Sequence, residues 1–339
     1  MSLRAAAALT AAGCLVRCVP VVWCAHAGQV CIGIATPCVW NACASFSSAW
    51  FPPKERTIAT ALGGAASFAG MGLQFLAVLN VSSGEQFAAL LRAEAVLALG
   101  VALAVFGLLP AQPRRPPSLS AAAHAGRTFR ANLLAFCSSR DCWLVSLAAG
   151  VTSGVFGVYS SSIPVLLHRD EGELMSKWLG FCSTAFFVSG SLALGLLSDR
   201  CFARRLRSLL MRLAALSLAA VVAFALALPS PVSSQGFAHS ELLHFGSMGL
   251  LSTAVGGIFP VAIELAAELA YPADESIVVG AVTGIYNIAG VAYVLFMDRI
   301  PNADVNLPFL FASLLALALV SLCGERYARR DADESPTGS

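Results

Sequence analysis

The stretch from Gly28 to Phe75 limits what this chain can fold into more than any other. Two apolar runs, Gln29 to Trp50 and Thr57 to Phe75, contain no charged residue, and they meet at the hinge Trp50-Phe51-Pro52-Pro53-Lys54-Glu55-Arg56. Each run is long enough to cross about 30 Å of hydrocarbon at about 1.5 Å per helical residue. The hinge then reads as a tight turn at a membrane surface. Trp50 and Phe51 lie at headgroup depth, with Lys54 and Arg56 just outside. The polar residues inside the runs are Gln29, Thr36, Asn41, Ser67 and Gln74. Lipid offers them no partners, so they should face other helices or a cavity.

The remaining composition points the same way. Of 339 residues 58% are hydrophobic and only 12% charged, against roughly 25% charged in a soluble domain. A net charge of +2, with no basic patch interleaved with aromatics, excludes nucleic acid as a partner. The eleven cysteines lie mostly inside apolar runs, with no metal-binding spacing, so they read as small packing residues and neither a metal nor a cofactor is expected. Met1–Cys24 is of spanning length and is expected to stay in the membrane rather than to be a cleaved leader. It carries Arg17, which is costly there unless paired or facing a cavity.

Apolar windows of spanning length fall at Leu3–Cys24, Gly28–Trp50, Ile58–Leu79, Phe87–Leu109, Trp143–Leu167, Trp178–Leu197, Leu206–Leu228, Phe245–Tyr271, Ile277–Phe296 and Leu307–Cys323. The chain therefore reads as an all-α polytopic membrane protein of about ten helices. Residues 1–110 form a four-helix part, the Pro-, Ser- and Arg-rich segment 111–141 a flexible cytoplasmic linker, 142–325 a six-helix half, and 326–339 a disordered tail. With alternate crossing, the side of Arg4 collects Lys54, Arg56, Arg114, Arg115, Arg127, Arg130, Arg140, Arg200, Arg204, Arg205, Arg207, Arg326, Arg329 and Arg330, whereas the other holds only Arg169, Lys177 and Arg299. Both termini are accordingly expected in the cytosol.

The segment Gly195-Leu-Leu-Ser-Asp199-Arg200-Cys-Phe-Ala-Arg204-Arg205 resembles the G-x-x-x-D-R-x-x-x-R-R/K loop of the major facilitator superfamily. Gly28–Leu62, with its GQ, its Pro followed by Asn and its AWF-P-x-ER turn, resembles the fourth helix, turn and fifth helix of solute carrier family 49. That group holds the feline leukaemia virus subgroup C receptor-related and disrupted in renal carcinoma proteins. Phe259–Pro272 resembles the family's tenth helix, with its E-L-A-x-E-x-x-Y-P ending, and Gly154–Ser160 its seventh. The resemblance implies that Leu3–Cys24 is the family's third helix, so the chain corresponds to helices 3–12, without the first two, in two halves.

The resemblance also implies roles. In choline-transporting members the cavity positions are a tyrosine on helix seven and glutamines on helices five and eleven; the matching positions here are Gly157, Phe68 and Asn287. A cage for a quaternary ammonium is thus poorly matched, and Ser67–Gly70 with Tyr159 is closer to the disrupted in renal carcinoma branch. The substrate cavity candidates are Trp40, Asn41, Tyr159, Ser160, Tyr286 and Asn287. Gly150-x-x-x-Gly154 and Gly280-x-x-x-Gly284 read as close-packing motifs. Gating or coupling candidates are Asp199, Arg200 and Arg204 as a latch, and Glu264 and Glu268, on one helical face, facing the Lys54/Arg56 turn.

The reading that follows is a secondary-active transporter, in the lysosomal or plasma membrane, of a small organic solute of the pyridoxine, choline or haem kind, working by alternating access. Its partners would be that solute, the lipid bilayer and a proton or other coupling ion. A truncated, non-transporting relative acting as a partner or regulator is the alternative. A membrane-embedded transferase is disfavoured, because none of the five histidines has an acidic partner in a reactive arrangement, so the chain does not read as an enzyme.

Overall fold

In a computed structural model the chain is built from α-helices. The structure describes residues 3–51, 56–78, 81–110, 128–167, 173–202, 204–227, 241–273, 275–297, 299, 306–328 and 331. The helices are α1 (Leu3–Arg17), α2 (Val22–Trp50), α3 (Arg56–Val78), α4 (Gly84–Leu108), α5 (Phe129–Ser138), α6 (Arg140–Leu167), α7 (Glu173–Cys201), α8 (Leu206–Ala227), α9 (Glu241–Ala270), α10 (Glu275–Met297) and α11 (Leu307–Ser321). Among the described residues seven are long and apolar enough to cross a membrane, somewhat fewer than the ten windows. α1 and α11 are only 15 residues each, and several residues of α3 are described by backbone alone. Large apolar side chains point outward throughout, for example Trp23, Leu97, Leu108, Leu242 and Ile288. A soluble monomer does not expose so much contiguous apolar surface, whereas hydrocarbon covers it without cost.

The chain divides into two units. The first comprises Met1–Ala66 and Ala77–Gly126, the second Ser67–Leu76 and Arg127–Ser339. In the first, α1 packs on α2 and α4. α4 starts with a capping box: Ser83 Oγ accepts from the Gln86 backbone N–H at 3.2 Å and Gln86 Oε1 accepts from the Ser83 N–H at 3.2 Å. Arg17, placed by its sequence in hydrocarbon, is paired. Its Nη1 lies 3.5 Å from Glu94 Oε2 of α4, a partner the sequence reading did not identify. Two charges that neutralise each other lower the cost of keeping either in the membrane.

In the second unit α9 is the central helix, packed on α6, α7, α8 and α10, while α11 closes on α6 and α8. Where α7 crosses α9 the backbones touch. A Cβ on Gly190 would stand 2.6 Å from the carbonyl oxygen of Thr253, so only glycine fits there. The buried apolar side chains form two layers. One, at the end of α6 bearing Arg140, holds Val145, Leu210, Leu265 and Val278; the other holds Phe156, Phe187, Phe224, Met248 and Phe309.

Three expectations change here. The segment 111–141 contains an ordered helix, α5, capped by Thr128, and its Phe136 is buried against Trp143 at a ring distance of 5.0 Å; residues 111–127 lie outside those described. The ordered chain also runs past 325. Tyr327 is buried, its hydroxyl accepts from the Leu206 backbone N–H at 2.8 Å and donates to Glu325, and Arg204 pairs with Asp331 at 2.9 Å. Arg207 fastens the same region by donating to the last carbonyls of α11, Val320 at 3.2 Å and Ser321 at 2.6 Å, where a cation complements the helix dipole. Finally, Gly284 meets nothing within 4 Å among the described residues, so the expected close packing is not made there. The close approach is made by Ile285 and Tyr286 of α10 against Gly150 and Gly154 of α6.

Candidate functional site

On α6 the residues Ser153, Phe156, Gly157 and Ser160 recur at intervals of three and four, which puts them on one helical face. That face borders a hollow within the second unit. α7 contributes Ser183, Thr184 and Phe187, α10 contributes Tyr286, and the Ser67–Leu76 part of α3 contributes Phe68 and Met71. The hollow has room for about one water molecule. Its walls are aromatic: Phe68 and Phe187 lie 4.3 Å apart between ring centroids, and Phe187 stacks on Phe156 at 5.7 Å. No charged side chain is among the described residues lining it.

The hydroxyls around the hollow are not equivalent. Ser160 donates to Gly157 O at 3.2 Å, Thr184 to Gly180 O at 3.1 Å, and Ser183 shares a hydrogen bond with Ser252 at 3.0 Å. Ser153 Oγ is buried, with no partner among the described residues. An unsatisfied buried hydroxyl costs about 1–3 kcal/mol, which a water or a solute group in the hollow would relieve.

Tyr286 also lines a second hollow, a groove of about 300 Å³, with Gly154, Val158, Asn287, Gly290 and Val291 among others. Asn287 donates through Nδ2 to Thr283 O at 2.8 Å, one turn earlier on its own helix. Tyr286 borders both hollows, and a Cβ at position 157 would collide with its hydroxyl.

Of the cavity candidates, Ser160 and Tyr286 therefore border the aromatic hollow, and Tyr286 and Asn287 the groove. Phe68 and Gly157, matched above to family cavity positions, also line the aromatic hollow. Tyr159 lines neither. It is fully buried, stacks on Phe309 at 5.6 Å, and donates its hydroxyl proton to Asn306. Trp40 is half-buried on α2 in the first unit; Asn41 follows it on α2, and its side chain lies outside those described.

Among the gating candidates, Asp199 falls in the last turn of α7 with its side chain outside those described, and Arg200 beside it is exposed. Arg204 is exposed and paired with Asp331. On α9 Glu268 is fully buried and Glu264 half-buried. Lys54 and the side chain of Arg56 lie outside the described residues, as therefore does their expected contact with the two glutamates. Sequence reading missed Ser153, Phe156, Thr184 and Phe187. The available signal was the polar and aromatic side chains recurring at three and four residues on α6 and α7.

The chain is similar to the solute carrier family 49 member 4 homolog of Xenopus tropicalis, 28% identical over 320 residues that cover 86% of this chain and 68% of that protein. It is similar to the choline/ethanolamine transporter flvcr2b of Danio rerio, 24% identical over 321 residues, 89% of this chain and 64% of that protein. In fold it is similar to the E. coli fucose:proton symporter FucP, with a TM-score of 0.64 at 15% identity over 95% of this chain and 83% of that one. Residues 2–294 match the Major Facilitator Superfamily as a whole. The chain belongs to the major facilitator superfamily of membrane transporters.

Proposed function

We propose that this chain is a secondary-active carrier of a small, vitamin-like organic solute, working by alternating access. One observation carries the reading. A buried hydroxyl without a partner among the described residues, Ser153 Oγ, borders a hollow walled by Phe68, Phe156 and Phe187, with no charged side chain among its described lining. Aromatic faces suit a planar ring or a soft cation, and a single hydroxyl suits one ring nitrogen or hydroxyl of the solute. A pyridoxine-like solute fits this lining better than a carboxylate-bearing one, which would lack a counter-charge. Choline is the second candidate, because flvcr2b is named for it.

In this reading Trp40, Asn41, Ser160, Tyr286 and Asn287 border the solute path and Tyr159 holds the aromatic wall from behind. Asp199, Arg200 and Arg204, with Glu264 and Glu268 facing Lys54 and Arg56, form contacts that break and re-form as the two halves rock. A proton or another ion couples the cycle, both termini lie in the cytosol, and the chain sits in the lysosomal or plasma membrane.

Purified chain in liposomes, given radiolabelled pyridoxine or choline with and without an imposed pH gradient, tests the reading. Saturable pyridoxine uptake above that of protein-free liposomes is the expected result. Uptake of neither probe in either condition contradicts it.

A further inference from the structure

The aromatic hollow is too small for the solute assigned to it. It admits about one water, whereas small-molecule sites enclose roughly 300–1,000 Å³. One of its walls also lines the groove of about 300 Å³. The two hollows share a single lining side chain, Tyr286.

Three of the other lining residues are held. Phe156 and Phe187 are buried and stacked on each other, and Ser183 is tied to Ser252. Tyr286 is not held in the same way. The residue is less buried than Phe156 and Phe187, and among the described residues its hydroxyl has no hydrogen-bond partner. That hydroxyl rests over Gly157, where any Cβ would collide with it. Position 157 therefore gives the ring a place to lie, and nothing polar among the described residues fixes it there.

We propose that Tyr286 is the movable wall that sets the size of the solute site: its ring lies over Gly157 when the site is closed, and swinging it aside joins the aromatic hollow to the groove. The proposal rests on the carrier reading for its role in selectivity, but the movable wall itself has a readout that needs no transport. Rotation of one side chain converts a one-water hollow into a space of ordinary ligand size. The size of the accepted solute is thus decided at position 286, and position 157 decides whether the closed state is reached.

The test uses full-length chain carrying Ser160→Cys, a buried position on the hollow side of the ring. Labelling with methyl methanethiosulfonate is followed by mass spectrometry at the peptide bearing position 160, so that native cysteines do not interfere. With Tyr286 in place labelling is slow. Tyr286→Ala is expected to speed it about tenfold or more, because the fraction of time the hollow is open sets the apparent rate. Tyr286→Phe keeps the ring and is expected to leave labelling slow. Gly157→Ala displaces the ring and is expected to speed labelling, and Gly157→Ala with Tyr286→Phe is expected to slow it again, since the colliding hydroxyl is gone. Tyr286→Leu serves in place of Tyr286→Ala if the alanine variant is not monodisperse.

An unchanged labelling rate in both Tyr286→Ala and Tyr286→Leu overturns the movable wall, and does so even if the wild-type chain transports pyridoxine. If labelling changes as stated while no probe is taken up, the wall stands and the carrier reading fails. If both hold, Tyr286→Ala is expected to admit pyridoxine analogues with bulkier ring substituents than the wild-type chain accepts. Unchanged size selectivity in that variant overturns the assigned role.

Discussion

Tyr159 donates its hydroxyl proton to Asn306 Oδ1 across 2.5 Å, and both residues are buried. The bond ties the middle of α6 to the start of α11, and one turn on Phe309 stacks against the same tyrosine ring at 5.6 Å. Phe309 in turn lies 5.9 Å from Phe156, a wall of the aromatic hollow.

Tyr159→Phe keeps the ring and strips Asn306 of its donor. The variant is expected to lose about 1–3 kcal/mol of stability, the cost of a buried acceptor left unsatisfied. Its effect should appear in thermal unfolding in detergent, with the KM for any transported solute little changed. A large rise in KM at unchanged stability would mean that Tyr159 touches the solute.

Two glycines on α7 make a paired prediction. Gly190→Ala is expected to destabilise by about 1–3 kcal/mol, because its methyl meets the Thr253 carbonyl where α7 crosses α9. Gly195 has nothing within 4 Å among the described residues, so Gly195→Ala is expected to be neutral or to stabilise by up to about 1 kcal/mol through helix propensity. Thermal unfolding of the two variants side by side decides; equal effects would contradict the crossing geometry.

Arg17 and Glu94 form the charged contact between α1 and α4. Arg17→Ala and Glu94→Ala should each destabilise the first unit, and the double variant should lose less than the sum. A coupling of about 0.5 kcal/mol or more is expected for residues in contact. Strict additivity would show that the two charges do not sense each other.

The thiol of Cys323 is pushed up to about 11, first by burial and then by the neighbouring Asp141 carboxylate, with Arg207 pulling the other way. The thiolate is the reactive form, so in the folded protein Cys323 should resist alkylation at neutral pH and gain reactivity only as pH rises toward that value. Cys137 and Cys201 are exposed and should react first. Rapid maleimide labelling of Cys323 at pH 7 would contradict the packing of the segment after α11.

Much of this architecture could be read before any coordinates. The charge-free runs around Trp50 dictate spanning helices because no other element satisfies its backbone in lipid. Gly150 and Gly154 announce a close helix contact because nothing larger fits, whereas the capping box of Ser83 and Gln86 at the start of α4 carried a local signal that the sequence reading did not use. Contacts between distant segments were not legible. Glu94 lies 77 residues from Arg17, and Tyr327 is 121 residues from Leu206, so neither pairing leaves a local signature. Gly284 misled because small residues on a helix signal close approach only when a neighbour stands on that side. The hollow itself was half visible. Ser160 and Tyr286 stood out as polar or aromatic residues in apolar helices, but Ser153, Phe156 and Phe187 gain meaning only once α6 and α7 are brought together.

The central claim is that this chain carries a small solute through the hollow bordered by Ser153. Counterflow tests it most directly: liposomes holding the purified chain are loaded with unlabelled pyridoxine and exposed outside to a trace of the labelled compound. An alternating-access carrier exchanges one for the other, so the label should accumulate transiently above its equilibrium level, and Ser153→Ala should weaken that overshoot while the protein stays folded. Label that never exceeds the level in protein-free liposomes, or an overshoot that Ser153→Ala leaves untouched, would contradict the account.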